Sequence, residues 1–155
     1  MPEDQKLKWV LERQLAWIVS ADAKLTVVGP IPLAMLAISL AGFGEKIETI
    51  SWMDAPLFVS TFLLLWVMFY VASALIPRLK GPENSNIFFG KISCQDEEVF
   101  LRSVLGESPK EHLEDLIGQI HVNAKIANYK HGCVGRAIIF LVFATPIWLI
   151  SLAAG

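Results

Sequence analysis

Three polar side chains in the C-terminal half of the chain have the spacing of a small ligand-binding set. His121, Lys125 and Asn128 are separated by four and three residues, so a helix places them on one side with their tips close together. An imidazole, an ammonium and an amide can together bind a phosphate and the edge of a nucleobase. The same pattern is also typical of a solvated helix face, and spacing alone does not separate the two interpretations.

The sequence lacks the patterns of catalytic and metal-binding sites. A zinc pair on one helix needs histidines three or four residues apart, but His112, His121 and His131 are nine and ten residues apart. His112 with Asp115 comes closest, and two ligands do not make a site. The two cysteines have no partner at metal or redox spacing, and the serines lie outside any nucleophile-elbow motif. We therefore expect no catalytic residues, no metal and a protein that is not an enzyme.

The composition indicates a membrane protein. Of the 155 residues, 54% are hydrophobic and only 18% are charged, whereas soluble domains carry about 25% charged residues. The apolar residues collect in three uncharged blocks at 25–43, 55–76 and 137–154, and about 20 such residues cross the hydrocarbon layer. This pattern excludes a soluble single-domain enzyme and a disordered chain. The net charge of −2 gives no support for nucleic acid as a partner.

We predict an all-α integral membrane protein with three transmembrane helices and a cytoplasmic helical region. The lipid bilayer is its first partner, with the N-terminus inside and the C-terminus outside. This orientation places twelve of the thirteen lysines and arginines on the cytoplasmic side. The expected segments are a cytoplasmic amphipathic helix (1–24), transmembrane helix 1 (25–43), a periplasmic loop (44–54), transmembrane helix 2 (55–76), a cytoplasmic helical sensor region (77–133) and transmembrane helix 3 (134–154).

Local signals refine this outline. Gly29, Pro30 and Pro32 should kink the first span, because each proline removes a backbone donor. Residues 79–95 are the one stretch expected to be without helical character. Ser108-Pro109-Lys110-Glu111 predicts a helix start with a capping box. The apolar stripe of that helix must be covered by the N-terminal helix or by a second copy of the protein.

Four segments along the chain carry a resemblance to a known family. They are Trp17-Ile18-Val19-Ser20-Ala21-Asp22-Ala23-Lys24, Pro77-Arg78-Leu79-Lys80, Asn86-Ile87-Phe88-Phe89-Gly90-Lys91-Ile92, and Gln119-Ile120-His121 through Ala127 with Lys130. The phenylalanine-pair glycine segment, followed by a Gln-Ile-His-x-x-Ala-Lys-Ile-Ala helix, is fairly specific in combination. In these segments and in their order, the chain resembles the Pycsar transmembrane effector family over essentially its whole length.

The resemblance implies a role in anti-phage defence. A partner uridylate or cytidylate cyclase makes cUMP or cCMP on infection, and the effector responds by impairing the inner membrane. The infected cell then stops growing or dies before phage are released, which is abortive infection. The cyclic pyrimidine nucleotide is thus an activating ligand, and no cofactor is expected. Because three spans cannot enclose a pore alone, we expect a homo-oligomer.

The resemblance also nominates residues, which we carry over as candidates. A β-roll cyclic-nucleotide domain needs many strands, so a pocket in this chain must be built from helices of one subunit or of two. Arg78, Lys80 and Lys91 are secondary phosphate candidates, and the first two also suit a role as membrane anchors. The candidate ligand-binding residues are His121, Asn123, Lys125, Asn128, Lys130 and Lys91, and the motif or gating candidates are Trp17, Asp22, Lys24, Phe88, Phe89 and Gly90.

A different function class stays open on the sequence. A small, non-enzymatic membrane scaffold or regulatory subunit would use the same cytoplasmic helices to bind a protein partner. A constitutive small channel is disfavoured, because the predicted spans contain few polar residues. Dependence on an active cyclase separates the effector from both of these.

Overall fold

The computed structural model describes residues 2–46, 52–78, 81–82 and 85–153. Within these ranges the chain is all-α and contains no strand, so the predicted fold class is confirmed. One turn of 3-10 helix covers Trp52–Asp54. The α-helices are Glu3–Val28 (α1), Pro30–Lys46 (α2), Ala55–Leu75 (α3), Phe89–Ile92 (α4), Glu97–Gly106 (α5) and Pro109–Ala153 (α6).

Three helical stretches are long and apolar enough to cross a membrane, as predicted. They are Glu3–Phe43, Ala55–Leu75 and Pro109–Ala153. At most 33% of the most apolar window of each stretch is buried within the protein. Apolar surface in water costs about 25 cal/mol per Å², so the remainder of these windows is suited to lipid. The segment boundaries and the orientation of the termini remain predictions, and residues 47–51 of the expected periplasmic loop lie outside the described residues.

The chain divides into two compact units. The first, which we call the polar unit, comprises residues 1–20 and 77–129. It contains nine of the thirteen basic and eleven of the fifteen acidic residues. The second, which we call the membrane unit, comprises residues 21–76 and 130–155. Polar chemistry and apolar helix packing are therefore concentrated in different parts of the molecule.

The membrane unit is interrupted where the glycine and prolines predicted a kink. α1 ends at Val28 and α2 begins at Pro30. The Gly29 N–H donates to the Leu25 carbonyl oxygen at 2.8 Å, while Pro30 has no N–H to continue the ladder. A Cβ atom at position 29 would lie 2.9 Å from the same carbonyl oxygen, so this close approach favours glycine.

Two apolar clusters pack the membrane unit. Small residues such as Ala74, Ala137 and Ala144 let the helices approach closely, which is the main source of packing energy between membrane helices. The Trp148 Nε1–H donates to the buried Ser39 Oγ at 3.0 Å. The first cluster contains Leu25, Val67, Val71, Ala74, Cys133, Val134 and Ala137, and the second contains Met35, Leu36, Leu64 and Ala144.

α6 begins with the predicted capping box. The Ser108 N–H donates to Glu111 Oε2 at 2.7 Å, and the Glu111 N–H donates to Ser108 Oγ at 3.3 Å. Pro109 occupies the first helical position, where its missing N–H costs nothing. The pKa of Glu111 lies below its ordinary value of 4.5, because hydrogen bonds from Ser108 favour the ionised carboxylate. The side chain of Ser108 has the larger effect and its backbone N–H the smaller one.

This capping box should make the stability of the first turn depend on pH. Because the folded-state pKa of Glu111 is depressed, its contribution is present above the unfolded value and is lost as the pH falls through the folded value. We expect Glu111→Gln to lower the thermal unfolding midpoint at neutral pH and to match the wild type in acid below the folded-state pKa. Glu12→Gln changes an exposed carboxylate on α1 and serves as the control. Equal midpoints of wild type and Glu111→Gln at neutral pH would contradict the prediction.

In its described residues, the segment between α3 and α5 differs from its prediction at one helical turn. Residues 79–95 were expected to be non-helical, but Phe89–Ile92 forms one helical turn. The Phe88 carbonyl oxygen accepts the N–H groups of Lys91 and Ile92 at 2.9 and 3.1 Å. Ser85 holds the entry to this turn through a tertiary contact with α6, and such contacts override weak local propensity.

Candidate functional site

A cleft of about 280 Å³ lies within the polar unit. We call it the Arg78 cleft, because Arg78 carries the one positive charge among the described residues that line it. Its walls are mostly apolar, with two side-chain amides, which is the usual character of small-ligand sites. The lining residues are Leu11, Leu15, Arg78, Ile87, Phe88, Phe89, Gln119, Val122, Asn123 and Ile126.

The Arg78 guanidinium is stacked on an aromatic ring. Its central carbon lies 3.4 Å from the centroid of the Tyr129 ring, which is a close cation–π contact. Stacking uses the face of the guanidinium, so its N–H donors point outward in the plane of the group. Arg78 thus brings a positive charge and N–H donors to the lining of the cleft beside an aromatic ring.

Ser85 fixes one wall of the Arg78 cleft to α6. The side chain is only 1% exposed. Its Oγ accepts the N–H groups of Ile87 and Phe88 at 3.1 and 2.9 Å, and it also accepts the Gln119 Nε2–H at 2.9 Å. Three cleft residues are thereby positioned by one buried hydroxyl. Ser85 was not among the residues predicted from the sequence, because a serine in a turn-rich segment is common and does not indicate a tertiary contact.

Two amides supply hydrogen-bonding capacity in the cleft. The Asn123 Nδ2–H donates to the Gln119 carbonyl oxygen at 2.9 Å, and the Gln119 side chain is buried against Ser85. Each amide has two N–H donors and an oxygen with two lone pairs, so one hydrogen bond leaves both kinds of group available. A pyrimidine edge, which presents donors and acceptors side by side, matches this pairing.

The Phe88 ring packs against two glycines. A Cβ atom at Gly90 would lie 2.7 Å from the ring, and one at Gly81 would overlap it as well. The rings of Phe88 and Phe89 contact each other with centroids 5.1 Å apart. The glycine that follows the phenylalanine pair therefore has a physical cause, since it makes room for a ring that lines the cleft.

Gly90→Ala is expected to destabilise the polar unit. The added methyl group forces the Phe88 ring to move, and such overpacking costs about 1–3 kcal/mol, partly offset by the better helix propensity of alanine. Thermal unfolding should show a lower midpoint than the wild type. Gly132→Ala is the matched control, because a Cβ there meets nothing within 4 Å. A midpoint for Gly90→Ala at or above that of Gly132→Ala would contradict the close approach.

A second and larger cleft, of about 560 Å³, also lies within the polar unit. We call it the acidic cleft, because four carboxylates and one guanidinium line it. A phosphate is repelled by such an excess of negative charge, so an anionic ligand is better suited to the Arg78 cleft. The lining residues are Pro82, Asn86, Arg102, Ser103, Gly106, Glu107, Glu111, Glu114 and Asp115.

A comparison with known protein families identifies the chain. A sequence model of the Pycsar effector protein domain, PycTM, matches residues 6–155, essentially the whole chain. The chain belongs to the PycTM family. No curated protein and no solved structure gives a significant match. Family membership and the three apolar helices together assign this PycTM protein the role of a Pycsar transmembrane effector in antiviral defence. PycTM is not a known catalytic family.

The candidate ligand residues of this PycTM protein are not brought together in one place. His121, Lys125 and Asn128 are exposed on α6, and they are not among the described residues that line either cleft. Lys91 is half-buried on α4 and also lies outside both linings. Asn123 is the one candidate ligand residue that the Arg78 cleft contains. Their role in binding remains a prediction.

The motif candidates fall into two groups. Phe88 and Phe89 line the Arg78 cleft, and Gly90 packs against Phe88. Trp17 is exposed on α1 and lines a shallow depression with Arg13. These residues belong to the polar unit of the PycTM protein.

The second group belongs to the membrane unit. The Lys130 Nζ donates to Asp22 Oδ1, so these two candidates form an ion pair between α6 and α1. The Lys130 side chain is 13% exposed and the Asp22 side chain is 43% exposed. Lys24 is exposed near the same end of α1. Among the secondary candidates, Arg78 is in its cleft, while Lys80 lies outside the described residues.

The PycTM structure shows no arrangement for a metal in the part of the chain that it describes. No group of three or more histidine, cysteine, aspartate or glutamate side chains is placed to bind a metal ion there. Both cysteines occur as thiols, with Cys94 exposed and Cys133 buried.

Proposed function

We propose that this PycTM protein is activated by a cyclic pyrimidine nucleotide, cUMP or cCMP, made by a partner cyclase. Activation then impairs the inner membrane and causes abortive infection. The observation that supports this ligand is the Arg78 cleft, which combines one cation, two amides and two phenylalanine rings. Family membership supports the response.

The charge of the Arg78 cleft suits a cyclic mononucleotide. The cyclic phosphodiester carries one negative charge, and Arg78 is the one charged residue in the described lining. The guanidinium N–H fork matches two phosphate oxygens and gives the stronger, charge-assisted type of hydrogen bond. Nucleic acid, with its many phosphates, favours an excess of positive charge, whereas the sequence of this unit has nine basic and eleven acidic residues.

The base is the second contact. Gln119 and Asn123 offer donors and acceptors to a pyrimidine edge, and Phe88 and Phe89 offer apolar aromatic surface for stacking. Stacking of a base on an aromatic side chain contributes about 1–3 kcal/mol. The exposed α6 face with His121, Lys125 and Asn128 is the other candidate position for the same ligand.

The membrane lesion requires more than one chain. Three spans do not enclose a pore, and the exposed apolar windows of the helices can be covered by further copies as well as by lipid. We therefore propose a homo-oligomer in the inner membrane, with the polar unit in the cytoplasm where the nucleotide is made. Ligand binding shifts a closed oligomer towards an open one only through a higher affinity for the open state.

Co-expression with a pyrimidine cyclase tests the proposal. Membrane depolarisation should appear with an active uridylate or cytidylate cyclase and should be absent with the same cyclase carrying an inactivated catalytic site. Purified protein in liposomes should release a trapped dye with cUMP or cCMP but not with cAMP or cGMP. Intact membranes in the presence of both pyrimidine cyclases would overturn the proposal.

One observation supports a second candidate function. α5 exposes large apolar side chains, among them Leu101 and Leu105, and an exposed apolar face often marks a protein contact. A non-enzymatic scaffold or regulatory subunit would bind a cytoplasmic protein through this face. In that case the phenotype should be independent of the cyclase and should be lost on Leu105→Glu.

A further inference from the structure

A groove of about 270 Å³ lies on the exposed side of α3 in the membrane unit. We call it the aromatic groove, because Phe62, Leu65, Trp66 and Phe69 line it. These residues are three and four positions apart, so they share one face of the helix, and all four are exposed. The rings of Phe62 and Phe69 stand edge-on to Trp66, with centroids 6.4 and 5.5 Å away. The surface of the groove therefore fits an apolar chain.

Further rings connect the aromatic groove to an arginine on α6. Trp66 and Tyr70 both stack on Phe140, with centroid distances of 6.3 and 5.7 Å. Arg136 precedes Phe140 by one helical turn, and its guanidinium carbon lies 5.8 Å from the centroid of the Tyr70 ring, which is within cation–π range. A continuous set of aromatic contacts thus joins the apolar groove to an exposed positive charge.

The charge of Arg136 is available to an anion. Arg136 immediately precedes the uncharged block 137–154, and a long cationic side chain at such a position reaches the headgroup layer. Among the described residues of the membrane unit, Asp22 pairs with Lys130, and Asp54 precedes the opposite end of α3. Neither carboxylate is free for Arg136 in a second copy of the chain, whereas a phospholipid supplies a phosphate.

The dimensions of this surface suit one leaflet of a bilayer. From Phe62 to Tyr70, α3 rises about 12 Å, and half of the hydrocarbon layer measures about 15 Å. Along the surface, an arginine is followed by an apolar groove, which is the order of phosphate and acyl chain in a phospholipid. Basic sites between membrane helices are known to bind the headgroups of anionic lipids.

We infer that Arg136 and the aromatic groove form a binding site for an anionic phospholipid. The phosphate lies on the Arg136 guanidinium, and one acyl chain lies along the groove. A zwitterionic lipid binds less tightly, because its own ammonium group offsets the gain from Arg136. This site goes beyond the proposed function, and it does not depend on cyclic-nucleotide binding, because its residues all belong to the membrane unit.

Native mass spectrometry of the full chain, released from detergent with added lipid, tests the site. Phosphatidylglycerol should bind about fivefold or more tightly than phosphatidylcholine with the same acyl chains, the effect of one cation near a lipid headgroup. Arg136→Gln should abolish this preference. Lys24→Gln removes another exposed cation of the membrane unit and is the matched control, which should keep the preference. Deacylated glycerophosphoglycerol should not displace the lipid, because it lacks the chain that the groove holds.

Three results overturn the lipid site. Equal affinity of the wild type for the two lipids would show an unselective lipid belt. Equal loss of the preference in Arg136→Gln and Lys24→Gln would show an effect of general surface charge. Displacement by glycerophosphoglycerol would show a site for a soluble phosphodiester.

A second variant tests the aromatic groove without altering Arg136. Leu65→Trp fills the groove at an exposed position and should weaken binding of phosphatidylglycerol a few-fold, because packing holds an acyl chain among membrane helices. Leu33→Trp, at an exposed position of α2, is its control and should bind like the wild type. The same spectra report the number of chains. Dissociation of an oligomer by Leu65→Trp with lipid binding unchanged would assign the groove to a second copy and overturn the lipid site.

Discussion

Arg78→Ala should abolish activation by the cyclic nucleotide while the protein stays folded and in the membrane. The guanidinium is the one positive charge in the described lining of its cleft, so its removal leaves the phosphate without a charged donor. A hydrogen bond to a charged group contributes about 1.5–3 kcal/mol, which is about tenfold to a hundredfold in affinity. Calorimetry with cUMP and cCMP should show this loss, and cyclase-dependent depolarisation should disappear with it.

Two conservative variants distinguish the contribution of the Arg78 charge from that of its contact with the Tyr129 ring. Arg78→Lys keeps the positive charge but loses the planar fork and the contact with Tyr129, so we expect intermediate affinity. Tyr129→Leu removes the ring and keeps the guanidinium, and a cation–π contact at an exposed site contributes about 0.5–1 kcal/mol. Tyr129→Leu should therefore lower the nucleotide affinity only a few-fold. Arg78→Ala should lower it most and Arg78→Lys by an intermediate amount.

The controls decide between the two candidate positions of the ligand. Arg102→Ala removes an exposed arginine that lines the acidic cleft and should bind the nucleotide like the wild type. Lys125→Ala removes the ammonium from the exposed face of α6. Loss of binding in Lys125→Ala, with binding intact in Arg78→Ala, would contradict the cleft assignment and place the ligand on that face.

The helical architecture was predictable from the sequence, because the patterns that indicate it are local and each has a simple physical cause. Uncharged blocks of about 20 residues have few places to fold except in lipid, and three such helices were found. Ser108 and Glu111 form a capping box, and both of its hydrogen bonds lie within four consecutive residues. The interruption at Gly29 likewise follows from backbone chemistry alone. Such local features can therefore be predicted without knowledge of the tertiary structure.

The clefts were not predictable, because they depend on which helix faces meet. Helical spacing showed that His121, Lys125 and Asn128 share a face, but it does not tell whether that face is covered. The structure leaves these three exposed and places Asn123 in the cleft instead. Ser85 accepts a hydrogen bond from Gln119 of α6, which lies 34 residues further along the chain. No local sequence pattern predicts a contact over that separation.

The second large effect is expected at the ion pair between Asp22 and Lys130. Lys130 is the more deeply buried partner, so Asp22→Asn leaves its ammonium without the carboxylate that it contacts. Breaking a buried ion pair costs about 3–5 kcal/mol, and the partial exposure of Asp22 reduces this to about 1–3 kcal/mol. The thermal unfolding midpoint should fall accordingly, whereas Glu98→Gln, in the exposed pair with Arg102, should change it little.

Because Lys130 is more deeply buried than Asp22, the two single substitutions should lower stability by different amounts. Lys130→Met keeps most of the apolar stem and leaves behind Asp22, which water can reach, so it should cost less than Asp22→Asn. The double variant removes both charges and should recover much of the lost stability, since replacing a buried pair by uncharged groups is often neutral. A double-mutant cycle measures this coupling. A coupling energy near zero would contradict a stabilising ion pair between Asp22 and Lys130.

Depolarisation measured on the same variants separates a gating role from a structural one. If the pair between Asp22 and Lys130 is more stable in the closed state, Asp22→Asn should depolarise the membrane without any cyclase, and the double variant should do the same. If the pair only stabilises the membrane unit, Asp22→Asn should lower the amount of folded protein, and the double variant should restore both folding and cyclase dependence. The double variant decides, because it recovers stability under either role but recovers control by the nucleotide only under the structural one.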